Sequence, residues 1–201
     1  MNRNTILRLS PLAAALVVAL SAPVAQAAAP APGVLPGGFI TNDSTITYTT
    51  TGTNQAAIKL GNTNTNEVLQ WGGTTAGGVT ASVNAPSGIT TVSGFNIGAG
   101  AGLTVSAGAA GQSALILDLT GQPSNVYGTL AATAVTATNA PALFLANPNG
   151  IVVGSSGTIT EPATAIQGIA LLGYAQDPTV FNGSVTVNSS TITHNGDVTI
   201  A

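Results

Sequence analysis

From Phe39 onward, short runs of alternating apolar and small polar residues are separated by Gly, Asn or Asp: Thr45-Ile46-Thr47-Tyr48, Ala57-Ile58-Lys59-Leu60, Val68-Leu69-Gln70-Trp71 and Leu103-Thr104-Val105. Period-two alternation bounded by turn formers predicts strands. The signal returns at Leu115-Ile116-Leu117, Thr129-Leu130, Leu143-Phe144-Leu145, Ile151-Val152-Val153, Thr158-Ile159, Val185-Thr186-Val187, Ile192 and Val198-Thr199-Ile200. No convincing helical spacing appears, so the chain reads as all-β. Gly72 to Gly94 and Ala131 to Ala140 alternate more weakly and read as excursions from the main scaffold.

Four places share a formula in which a glycine precedes alternating apolar residues: Gly100-Ala101-Gly102-Leu103-Thr104-Val105, Gly157-Thr158-Ile159, Gly183-Ser184-Val185-Thr186-Val187 and Gly196-Asp197-Val198-Thr199-Ile200. Repeated turn-then-strand units, with aliphatics inward and Thr or Ser outward, fit the coils of a parallel β-helix, whose corners need residues tolerant of positive φ. A β-sandwich alternates in the same way, so periodicity leaves both architectures open.

The first 27 residues depart from this pattern. Arg3 and Arg8 precede an apolar stretch from Leu12 to Leu20 and then Ala25-Gln26-Ala27, the order of a secretory signal peptide. The apolar stretch is shorter than the ~20 residues of a membrane-spanning helix. Residues 28–37 are rich in proline, which suits neither a helix nor a central strand, and form an extended or loosely ordered lead-in to a domain at 38–201.

Charge then narrows the function. Only 4% of residues are charged, against about 25% in ordinary soluble domains. Removal of the leader takes Arg3 and Arg8 with it and leaves Lys59 as the one strong base. Such a surface cannot neutralise a row of phosphates or dock on an anionic leaflet, which argues against nucleic acid and direct membrane contact. The absence of cysteine excludes disulfides, thiolate metal sites and Cys nucleophiles.

Catalytic chemistry is thinly supplied. His194, between Ile192-Thr193 and Asn195-Gly196, reads as a turn-flanking surface residue, and no Gly-x-Ser-x-Gly elbow accompanies it. Asp118, Glu161, Asp177 and Asp197 are the acid and base candidates for a carbohydrate-active enzyme, but they are scattered along the chain. The acidic residues lack the spacing of calcium-binding nonapeptides. No metal, cofactor or enzymatic activity is expected.

The most distinctive motif is Asn147-Pro148-Asn149-Gly150-Ile151, set between two apolar strands. Proline pre-sets φ at the second position of a turn and holds Asn147 extended, leaving Asn149 and Gly150 to take conformations most residues avoid. It follows, in order, Trp71, Phe95-Asn96-Ile97-Gly98 and Tyr127-Gly128-Thr129-Leu130. This ordered set resembles the two-partner secretion domain of filamentous haemagglutinins, from about Gly37 to about Leu171. The chain carries Leu117-Asp118 where many members have Asn-Arg, and Val153 where they have an aromatic residue.

The resemblance implies a right-handed parallel β-helix with additional short hairpins covering its edges. It also implies an N-terminal secretion-recognition role: passage through the Sec pathway, recognition in the periplasm by the periplasmic domains of an outer-membrane β-barrel transporter, delivery to the cell surface or medium, and nucleation of β-helix folding. Asn147, Pro148, Asn149, Gly150 and Ile151 would be the signature turn, supported by Trp71, Phe95, Asn96, Ile97 and Gly98. The competing readings are an independent surface or adhesive protein with a host ligand, a carbohydrate-active β-helix enzyme, and an outer-membrane barrel. The barrel should show ~10-residue strands and aromatic girdles, whereas these runs are short and the aromatics scattered.

Overall fold

The computed structural model describes residues 28–73, 81–89, 91–92, 94–134, 140–161, 168–173 and 198–200. They form seventeen strands and no helix, in sheets that are mostly parallel. The expected leader at 1–27, the strands at Val185 and Ile192, and His194, Asp177 and Asp197 lie outside the described residues.

Three sheets share one stacking order. In the first, β4 (Gln55–Lys59), β9 (Gly102–Ser106), β12 (Thr129–Thr133) and β15 (Thr158–Thr160) lie parallel side by side. The second stacks β5 (Asn66–Trp71), β10 (Ser113–Asp118), β13 (Ala142–Ala146) and β16 (Ile169–Leu172). The third stacks β8 (Asn96–Ile97), β11 (Ser124–Val126), β14 (Ile151–Val153) and β17 (Val198–Ile200). The chain visits first, second and third sheet in turn, then returns to the first beside the strand it left.

At the N-terminal side, antiparallel strands replace this order. β3 (Thr47–Gly52) forms a hairpin with β4 around Asn54, which takes a φ of 55°. β2 (Phe39–Thr41) pairs antiparallel with β5 and with β6 (Ala81–Val83). The lead-in is not loose. β1 (Leu35–Pro36) pairs with β7 (Thr91–Val92), and Val34 and Leu35 are buried. Proline is accommodated because the strand is two residues long and ends there.

Side chains from all three sheets meet in one core. Ladders such as Leu69, Ile116, Leu145 and Leu171, or Ala56, Leu103, Leu130 and Ile159, run across the stacked strands in register. Thr104, Thr129 and Thr158 are half-buried or exposed, so the first sheet keeps the expected alternation. The second sheet departs from it, because Val68, Leu115, Leu117 and Ala146 form a further buried cluster with Ile40, Phe144 and Leu172. Burial on both faces explains the near-continuous apolar runs of β10 and β13.

Four aromatic residues gather, contrary to the scatter expected from the sequence. Phe39 lies 4.8 Å from Trp71 and 5.9 Å from Tyr48 between ring centroids, and Trp71 meets Phe95 edge-on at 5.1 Å. Their polar ends are satisfied by the lead-in: Trp71 Nε1 donates to Gly37 O at 2.8 Å and Tyr48 Oη to Pro36 O at 2.9 Å. Ala131 to Thr133 belong to β12 and are not an excursion.

Candidate functional site

The turn after β13 leads directly into β14, so it makes the corner between second and third sheets. It closes with Gly150 N–H donating to Asn147 O at 3.1 Å, while Asn147 Oδ1 accepts from Asn149 N–H at 2.7 Å. A β-turn is thus reinforced by an Asx turn. Gly150 takes a φ of 101°, a conformation that disfavours any Cβ. Asn149 does not have a positive φ, so Gly150 alone carries the unusual backbone expected of both.

Asn147 faces inward and has no solvent exposure. Its side-chain amide donates to Gln122 O at 2.8 Å and Ser124 Oγ at 2.9 Å, and its backbone N–H donates to Leu172 O at 3.1 Å. Ile151 is fully buried in the core, Pro148 is half-buried and Asn149 is exposed. Only the tip of the motif, Pro148-Asn149, meets solvent.

Behind the turn stands Asp118, also fully buried. Its Oδ2 accepts from Ser124 Oγ at 2.9 Å and from Phe95 N–H at 2.9 Å. Its Oδ1 accepts from Thr120 N–H at 3.0 Å and from Thr120 Oγ1 at 2.6 Å. A continuous polar line therefore runs from Asn147 through Ser124 and Asp118 to Phe95, tying three successive visits of the chain together. A carboxylate holding four donors is committed to anchoring backbone.

The remaining motif residues divide between two places. Trp71 and Phe95 join this corner through their ring contact. Asn96 accepts from Asn125 Nδ2 at 2.8 Å, one rung of an asparagine ladder between β8 and β11, and Ile97 packs in the core. Gly98 lies at the far end of β8, where its N–H donates to Val34 O at 2.8 Å. A Cβ there would overlap Ala31 O, so close approach of the lead-in, rather than φ, requires glycine. Gly157 follows the same logic against Val126 O, while Gly100 does adopt positive φ, at 76°.

Two buried polar groups escaped the sequence reading. Gln112 bridges the loops between first and second sheets, donating to Gly61 O at 2.7 Å and Asn64 O at 2.8 Å and accepting from Gly108 and Ala109 N–H. Asp43 and Glu67, far apart in the chain, sit side by side in the interior. The only sequence signal was a glutamate directly before the apolar pair Val68-Leu69 of β5. Glu161 is exposed and joins no cluster of the described residues.

No protein-family model, curated protein or solved structure matches this chain.

Proposed function

We propose that this chain is a secretion-recognition domain of the two-partner type. It forms a right-handed parallel β-helix whose N-terminal edges are covered by the β3–β4 hairpin and by β2 and β6. It is recognised by the periplasmic domains of an outer-membrane β-barrel transporter, carried to the cell surface or medium, and nucleates β-helix folding by offering its last strands as a template.

The observation that carries this reading is the placement of the Asn147–Ile151 turn. It makes a corner of three sheets stacked in the same order, holds its place by buried bonds from Asn147, and leaves Pro148-Asn149 at the surface. A transporter contact falls to the exposed pair, and a folding role to Asn147 and Ile151. Secretion from cells bearing the cognate transporter tests this. Pro148→Ala with Asn149→Ala should lower export at least severalfold while lowering the thermal midpoint by no more than a few degrees. Undiminished export would overturn the recognition role.

A second reading, an adhesive surface protein, draws on β3. That edge strand exposes the uncharged hydroxyls of Thr47, Thr49, Thr50 and Thr51 to a host-surface ligand, with a bulge between Thr50 and Gly52. Surface display in cells lacking any such transporter would favour it.

A further inference from the structure

Glu67 occupies a core-facing position of β5. Its register partner on β10 is Ala114, and the next strand offers Leu143, both fully buried. The Glu67 side chain has no solvent exposure, and neither carboxyl oxygen has a well-formed hydrogen bond among the described residues. A buried carboxylate in that condition is costly, and the usual escape is to keep its proton.

Asp43 stands beside it with the opposite provision. Its Oδ1 accepts from Thr45 N–H and Thr45 Oγ1, both at 2.7 Å, and its Oδ2 accepts from the Thr63 hydroxyl. Three donors converge on the Asp43 carboxyl group, whereas only Asn64 comes near that of Glu67, and this imbalance divides the pair into an ionised and a protonated member.

The pair lies beneath a specific junction. Asn42 follows β2 and extends the β2–β5 pairing with its side chain: Oδ1 accepts from Val68 N–H at 2.8 Å and Nδ2 donates to Asn66 O at 3.2 Å. These two bonds flank Glu67 on either side. Separation of Asp43 from Glu67 therefore pulls directly on the contacts that hold residues 42–45 against β5.

We propose that Asp43 and Glu67 share one proton, carried by Glu67 and donated to the Asp43 carboxylate, and that its loss unlatches residues 42–45 from the edge of β5. The latch is a proton-sensitive fastening on the N-terminal, antiparallel side of the fold. It stands independently of any role in export.

Other charges do not take over this function. β10 presents Ser113, Ala114 and Leu115 opposite this part of β5, and Asp118 lies at the other end of that strand, opposite Trp71. The loop before β5 contributes Thr63 and Asn64, both uncharged; Asn64 lies alongside Glu67 and offsets part of its cost. Lys59, exposed at the end of β4, lines a surface depression with Thr45 and Gly61.

Energetics agree with the geometry. Burial first, and then the neighbouring Asp43 carboxyl, push Glu67 up to about 8. Burial would raise Asp43 as well, but the hydrogen bonds from Thr63 and Thr45 outweigh it and bring it down to about 2. Once unlatched, Glu67 ionises near its ordinary value of 4.5. The opening equilibrium then rises about tenfold per pH unit above that value and levels off above about 8.

Carboxyl ¹³C titration of the unaltered chain, with hydrogen exchange at Val68 N–H, tests the latch. The Glu67 carboxyl should titrate well above the ordinary glutamate range. Val68 protection should fall about tenfold per pH unit between roughly 5.5 and 7.5 relative to Ile116 N–H. Glu67→Gln, which keeps a donor toward Asp43 but cannot ionise, should abolish that relative loss. An ordinary Glu67 titration, or Val68 protection that parallels Ile116 at every pH, would overturn the latch. Both measurements use the unaltered chain, so they discriminate even if the Gln variant does not fold.

Discussion

The backbone N–H of Phe95 donates to the Asp118 carboxylate at 2.9 Å across 23 positions of sequence. The same carboxylate oxygen takes the Ser124 hydroxyl, which in turn accepts from Asn147. A single acidic side chain thus fixes the start of one strand and, through one hydroxyl, the corner of the next visit.

Asp118→Asn is nearly isosteric but turns one acceptor group into a donor. Either Phe95 N–H and the Ser124 hydroxyl, or Thr120 N–H and the Thr120 hydroxyl, would then face an amide N–H₂. The expected loss is about 2–3 kcal/mol of unfolding free energy, the range for charge-assisted bonds and a stranded buried donor. Urea denaturation measures it, and a change within about 0.5 kcal/mol would contradict the anchoring role.

Asn147 and Asn149 differ by two positions and should differ sharply in stability. Asn147→Ala removes the bonds to Gln122 O, Ser124 Oγ and Asn149 N–H from a fully buried site, costing about 2–4 kcal/mol. Asn149→Ala alters an exposed side chain and should stay within about 0.5 kcal/mol. Paired thermal melts check the ordering.

Trp71 is the single tryptophan, so its fluorescence reports on the aromatic group without further labelling. The folded chain should emit at short wavelength, as a buried indole does, and shift red on unfolding. Trp71→Phe loses the bond to Gly37 O and part of the contact with Phe39 and Phe95. It should destabilise by about 2–4 kcal/mol and raise proteolytic cleavage of the lead-in, read by mass spectrometry.

Asp43 contributes to the acid limb of stability. Its folded value is depressed from 3.8 to about 2, so the stability it contributes is complete above pH 3.8 and is lost as pH falls through about 2. Glu67 is raised, so its contribution is complete below 4.5 and is lost as pH rises toward about 8. The combined contribution of this pair to the thermal midpoint is largest near pH 4 to 4.5. Asp43→Asn should flatten the fall between pH 4 and 2, which calorimetry across that range would measure.

The strand at Leu103-Thr104-Val105 was legible because one face is buried and the other is not, and the pleat writes that difference into every second residue. Leu143-Phe144-Leu145 gave only an apolar run, since both faces of its sheet are covered. β1, β7 and β8 are two residues long, too short for any period to register. The Asn147–Ile151 turn was legible as a turn from proline and glycine chemistry, yet nothing local marked Asn147 as buried and Asn149 as exposed.

The sequence by itself determined the all-β character, the near absence of charge, the lack of cysteine chemistry and the positions of the tight turns. These follow from backbone preferences and side-chain inventory, which act over a few residues. Tertiary structure alone decided which residues meet. The gathering of Tyr48, Phe39, Trp71 and Phe95, the anchoring of Phe95 by Asp118, and the proton held between Asp43 and Glu67 all depend on the register between strands far apart in the chain. Register is set by the packing of a shared core, a property of the whole stack and not of any one segment.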